Sequence, residues 1–108
     1  MDIFKMMGKA REIQSRMGEL QEELKLLEAS GESGAGAVTA RVNGQMALVA
    51  LTIDPDLMKP DEKEIVEDLV IAAVADARAK VEALVQEKTQ GMMGDLGLPP
   101  GLKLPFGG

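Results

Sequence analysis

An α+β fold is predicted for this 108-residue chain from the way its apolar residues are spaced. They recur every three or four positions over 2–28, alternate with polar residues over 38–42, and return to a helical distribution from about 61 to 90. The expected elements are a long N-terminal helix, a small antiparallel sheet of two or three strands and a long second helix. Residues 1–90 are expected to form a single domain and 91–108 a mobile tail.

The first helix rests on Ile3, Met6, Ala10, Ile13, Met17, Leu20, Leu24 and Leu27, a heptad seam sustained across the segment. A stripe this narrow suits one partner helix, either in the same domain or in a second chain. Gly8 and Gly18 weaken the helix by about 1 kcal/mol each relative to Ala.

After Ser30 the period becomes two. Val38, Ala40 and Val42 alternate with Thr39 and Arg41, Asn43-Gly44 supplies residues favoured in a tight hairpin turn, and "QMALVALTI" returns as the next strand. Segment 29–35 is a candidate third strand, against which its glycines count. On the returning strand Met46, Leu48 and Ala50 alternate with Ala47, Val49, Leu51 and Ile53, so neither face is polar. A small antiparallel sheet normally keeps one face solvated, so a second covering surface is predicted here.

Asp54-Pro55 ends that strand, and the second helix opens near Asp61 amid five acids in 61–68, which suit the positive end of a helix dipole. Its middle, "LVIAAVA" at 69–75, is apolar around the whole circumference. Such a helix is covered on more than one side, which with the two-faced strand predicts a homodimer. Beyond Gln90, "GMMGDLGLPPGLKLPFGG" is rich in Gly and Pro without a sustained period.

The glycine-rich "SGESGAGAV" at 30–38 raises the question of a phosphate-binding loop. Those loops follow a strand and lead into a helix N-terminus, whose free N–H groups hold the anion. Here a helix precedes and a strand follows, and no Gly-Lys-Ser/Thr is present, so the segment reads as a helix cap and strand entry. The chain has no Cys and no His, which removes thiolate chemistry and the usual proton carrier near neutral pH. Ser30 and Ser33 therefore have no imidazole to activate them. Paired acids such as Glu22-Glu23 and Asp61-Glu62 read as solvated helix surface rather than cation ligands. Neither enzymatic activity, nor a metal or cofactor, nor a small-molecule substrate is expected. No apolar run approaches a membrane span, and "MDIFKMMGKA" lacks the apolar stretch of a signal peptide, so no membrane partner and a cytoplasmic location are expected.

"GESGAGAV", "VNG", "TIDPDLMKPDEKEIVEDLV", "ADA" and a terminal "LPPGLKLPF" occur in an order that resembles the YbaB/EbfC family of bacterial nucleoid-associated proteins. These landmarks span about residues 31–106, and "MGKAREIQSRMGELQEEL" in the first helix matches more loosely. The resemblance implies a small antiparallel sheet with two helices, a homodimer with projecting helices and binding to double-stranded DNA with modest sequence preference. It also implies a place in the nucleoid, a role in its organisation and in gene regulation, and no catalysis. The family often carries polar or basic residues where this chain has "MALVAL", so the resemblance does not extend DNA contact to the sheet. Ala75 stands where Asn is common in the family, and Leu102 where Phe is common.

A net charge of −6 opposes DNA binding unless the charges are unevenly placed. Residues 1–18 hold Lys5, Lys9, Arg11 and Arg16 against Asp2 and Glu12, a net +2, whereas 19–32 carry −4. Segment 54–68 carries −5, while Arg78, Lys80 and Lys88 leave 78–90 at +1. If both helices project from the sheet, the start of the first and the end of the second are distal tips. Lys5, Lys9, Arg11, Arg16, Arg78, Lys80 and Lys88 are accordingly the expected phosphate contacts, with Lys5, Lys9 and Arg16 on one helical face. The same three residues equally suit the solvated flank of an amphipathic helix. The alternative function is a dimeric protein-interaction module without DNA binding, supported by the acidic surface and eight Met.

Overall fold

A computed structural model describes residues 2–97. It contains α1 (Ile3–Leu26), β1 (Glu28–Ser33), β2 (Val38–Asn43), β3 (Leu48–Ile53) and α2 (Lys63–Asp95), with 3₁₀ turns at Pro55–Leu57 and Pro60–Glu62. The strands form one antiparallel sheet in the order β1-β2-β3. The α+β class and the third strand are therefore present. Residues 98–108, most of the expected tail, lie outside the described residues.

α1 starts where the Asp2 carboxylate accepts the Phe4 N–H at 3.0 Å, an N-cap that satisfies one of the helix's free donors. It ends against the hairpin. The Gly44 N–H donates to the carbonyls of Leu24 (3.0 Å) and Leu27 (2.8 Å), and a Cβ at Gly44 would collide with the Leu24 carbonyl. This docking changes the expected turn. Asn43-Gly44 does not form a two-residue hairpin: the connection runs over 44–47, with the Asn43 side-chain oxygen accepting from Gln45 (2.9 Å) and Ala47 (3.1 Å). The left-handed residue is Met46, at φ 65°. A β-bulge follows between Arg41 and Val42.

The glycine-rich segment is not a helix cap: residues 30–33 complete β1, and 34–37 turn the chain into β2. Gly31 lies within β1, opposite Ala40, and a Cβ there would fall on the Ala77 amide nitrogen and 2.5 Å from the Ala73 carbonyl oxygen. β1 and α2 thus pack backbone to backbone. Two further bonds hold them: the Ser33 hydroxyl donates to the Leu69 carbonyl (2.5 Å), and the Glu32 N–H donates to the Asp76 carboxylate (3.1 Å). Gly31→Ala is expected to lower stability by about 3 kcal/mol or more, because rigid backbone cannot yield as a side chain can. Gly36 sits at φ 89°, where a Cβ would make only an ordinary 3.8 Å contact with the Glu32 carboxylate, so Gly36→Ala should cost only about 1–2 kcal/mol for its left-handed backbone. Denaturant midpoints compare the two, and equal losses would show that the Gly31 approach is not tight.

The core lies between α2 and one sheet face. Ala73, Ala77 and Val81, spaced by four on α2, meet Val38, Ala40 and Val42 of β2, and all six are fully buried. α2 covers β1 and β2. β3 is an edge strand whose Leu48, Val49 and Leu51 are 46%, 46% and 42% exposed. The single chain therefore leaves apolar surface on the strand that the sequence marks as needing cover on both faces.

α2 continues past Gln90 to Asp95, five residues beyond its expected end. Gly91 and Gly94 each cost about 1 kcal/mol in a helix, but Met93 and Leu96 are buried and offset that loss. The molecule measures 70 × 21 × 16 Å with a radius of gyration of 19.2 Å, against about 13 Å for a compact domain of this size. Within α1 only Leu20 and Leu24 are buried. The N-terminal half of the heptad seam lies open on a projecting arm.

Candidate nucleic-acid interface

The seven expected cationic contacts fall into three groups. Lys5, Lys9, Arg11 and Arg16 all lie on α1. At about 100° per residue, Lys5, Lys9 and Arg16 fall within about 40° of one another, flanking the apolar seam, whereas Arg11 lies on the far side. The second group differs from expectation. Arg78 and Lys80 are not at a distal tip: they neighbour Ala77 and Val81, which pack on the sheet, and α2 runs on from Arg78 for about 25 Å. Lys88 is the third case, turned toward α1, where it pairs with Glu23 at 3.1 Å. The distal end of α2 carries Asp95 and no cation beyond Lys88 among the described residues, so the arm's positive charge belongs to α1.

Several of these cations already have partners. Lys9 Nζ donates to the Leu96 carbonyl at 3.1 Å, tying the end of α2 to α1, and lies 3.9 Å from Glu12. Arg16 pairs with Glu19 at 3.7 Å. Both pairs are about half exposed, and exposed pairs contribute roughly 0–1 kcal/mol, little enough for a phosphate to displace the carboxylate. Lys5, Arg11 and Arg78 have no carboxylate within 4.0 Å among the described residues.

Lys80 is more committed. It donates to Asp76 at 2.9 Å, and that hydrogen bond, with the one from the Glu32 N–H, holds the Asp76 carboxyl below the usual carboxylate range. Asp76 is a positioning residue outside the expected contacts, and its sequence signal is an acid four residues before Lys80 in an apolar helix. It pins the edge of β1 to α2.

Other surfaces suit an anion less well. An open groove of about 490 Å³ between α1 and α2 is lined by Arg16 and Lys88 but also by Glu19, Glu23, Glu87 and Asp95. The sheet face away from α2 carries Arg41, paired with Glu28 at 3.3 Å, beside Thr39 and its partner Glu32. Each surface bears more acids than bases, which repels phosphate. Among the described residues no group of three acids is arranged to hold a metal ion, and no helix is long and apolar enough to cross a membrane.

Comparison with known proteins agrees with this architecture. A nucleoid-associated protein of Brucella ovis is 52% identical over 105 residues, covering 97% of this chain and 98% of the relative. One from Nitrobacter hamburgensis is 52% identical over 103 residues, covering 95% and 97%. An uncharacterized protein from Helicobacter pylori, known from its crystal structure, superposes with a TM-score of 0.75 at 28% identity, over 87% of this chain and 99% of the other. Residues 1–96 match the YbaB/EbfC DNA-binding family, and the chain belongs to that family.

Proposed function

We propose that this protein is a homodimeric nucleoid-associated protein that binds duplex DNA chiefly through its phosphates, without catalysis, in the cytoplasm. Roles in nucleoid organisation and gene regulation follow from that reading. The observation that carries it is the segregation of charge: an acidic base around 54–68, and an α1 arm bearing Lys5, Lys9, Arg11 and Arg16. Among the described residues no cluster of Asn, Gln and Arg on a helix forms a base-reading surface, which supports contacts chiefly to phosphate. The names of the relatives, all nucleoid-associated proteins, support the same reading.

Two copies double the cations. They also supply cover for β3, where Leu51, paired with Ala40 and so on the helix-side face, stands at the open edge of α2. Val70 and Val74 of α2 are half-buried, and Ile71 is 69% exposed.

A mobility-shift titration on duplex DNA at 50 and 200 mM salt tests the reading. Eight arm cations per dimer predict a salt slope near −7 and a loss of affinity on the order of 10,000-fold across that range. Binding that ignores salt, or no binding at 50 mM, would reject phosphate contact and favour a protein-interaction module.

A further inference from the structure

α1 runs on past the end of α2. Lys9 holds the carbonyl of Leu96, the C-cap of α2, at 3.1 Å, and α1 continues for about 9 Å beyond Lys9 to Ile3. Residues 2–12 are all exposed. Ile3, Phe4 and Met7 lie within an arc of about 100° around this end of the helix and are 65%, 82% and 49% exposed. Arg11 falls in the same arc about one turn further on, and Lys5 and Lys9 lie on the adjoining side. Asp2 is the only acid among residues 2–11, and its carboxylate is turned back to accept the Phe4 N–H at 3.0 Å.

We propose that this end of α1 enters the major groove of duplex DNA and that Ile3, Phe4 and Met7 pack against the 5-methyl groups of thymine. The proposal rests on the DNA-binding function above and adds to it a base-contacting surface. Size selects the groove, because an α-helix with its side chains is about 10–12 Å across, the major groove about 12 Å wide and the minor groove about 6 Å. One helix fits the first and not the second. α2 ends at Asp95, so α1 is the one helix that has to enter.

Chemistry selects the contact. On the major-groove edges of the bases the thymine methyl is the one apolar group, so an apolar arc has a single complementary target there. With that arc toward the base edges, Lys5 and Lys9 on its flank meet the phosphates of the groove wall. Those contacts fix orientation, while the methyl contacts distinguish bases. A second copy of the same end is a poor cover for the arc, because it would bring Lys5, Lys9 and Arg11 of both chains together.

A duplex in which every thymidine is replaced by deoxyuridine tests this, since it keeps the phosphates and the base pairing and lacks only the methyl groups. Burial of one methyl is worth about fourfold in affinity, so a dimer that covers one with each arm should bind the deoxyuridine duplex about fifteenfold more weakly at 50 mM salt. The salt slope should stay near about −7 for both duplexes. Ile3→Ser, Phe4→Ser and Met7→Ser together should bring the two duplexes to equal affinity without changing that slope. Phe4→Ala, which keeps a strong helix former in the first turn, should narrow the difference to about fivefold or less. Equal affinities in the unchanged protein, with the slope still steep, would overturn the methyl contact and leave phosphate binding standing. No binding to either duplex would reject the DNA-binding reading and this proposal with it. A thymine preference that survives the three serine substitutions would overturn the proposal by placing the contact elsewhere. Unaltered DNA binding with altered sedimentation in that variant would also overturn it and assign the arc to a second copy.

Discussion

Changing Lys5, Lys9 and Arg16 together to Glu is expected to abolish DNA binding at 50 mM salt. In the proposed dimer the substitutions remove six cations and add six anions to the side of α1 that flanks the seam. Arg11 alone would remain on that arm, so any residual binding should show a salt slope shallower than about −2, compared with about −7 for the unchanged protein. The fold should survive, because all three side chains are exposed. Lys9 also holds the Leu96 carbonyl, so a mobility shift with Lys5→Glu and Arg16→Glu alone separates loss of charge from loss of that tie. Charge reversal at Lys59 and Lys63 is the matched control. They stand among Asp54, Asp56, Asp61, Glu62 and Glu64, where the local potential already repels phosphate, and affinity should change by no more than about threefold. Greater damage from the control pair would make the acidic base, rather than the α1 arm, the DNA-binding face.

What the sequence reveals of this fold is what local periodicity encodes. The seam from Ile3 to Leu27 fixes α1 because 3.5-residue spacing marks a helix whether or not a partner is present. The alternation at Val38, Ala40 and Val42 fixes β2 for the same reason. The features that escape the sequence are those that tertiary contact imposes. Gly31 reads as a strand breaker, yet it sits inside β1 because only glycine lets that backbone rest on Ala73 and Ala77. Asn43-Gly44 reads as a two-residue turn, but the end of α1 engages the Gly44 N–H and the connection lengthens around it. Gly91 and Gly94 read as the end of α2, whereas buried Met93 and Leu96 carry the helix to Asp95.

Where the candidate cations sit depends on that helix as well. With α2 ending at Gln90 and both helices projecting, Arg78, Lys80 and Lys88 count as a basic tip. With α2 ending at Asp95 and packed on the sheet through Ala73, Ala77 and Val81, two of them lie over the sheet and the third faces α1. The cations on α1 are unaffected by this shift, because helical spacing within one element does not depend on where the other ends.

Leu51→Lys is expected to break the dimer, raising its dissociation constant by about a thousandfold or more. The residue pairs with Ala40 and therefore lies on the sheet face that α2 covers over β1 and β2. At β3 that cover is missing, and Leu51 is 42% exposed in the single chain. A lysine is tolerable there in a monomer, where its ammonium reaches water past the strand edge. Under a partner's surface the same charge is desolvated without a counterion, and two-fold symmetry imposes the cost twice. Val70→Asp and Val74→Asp should also be disruptive, but those side chains pack against the chain's own core and would unfold the protomer as well. Thr52→Lys is the control: it is exposed on the same strand, paired with Thr39 on the opposite face. Sedimentation velocity at low micromolar concentration should give a dimer for the unchanged protein and for Thr52→Lys. Leu51→Lys should sediment as a monomer or, if the protomer is not stable alone, unfold at a concentration where Thr52→Lys remains folded. A dimer with Leu51→Lys as stable as the original would place the interface elsewhere, and a folded monomer for the unchanged chain would remove the homodimer from the proposed function.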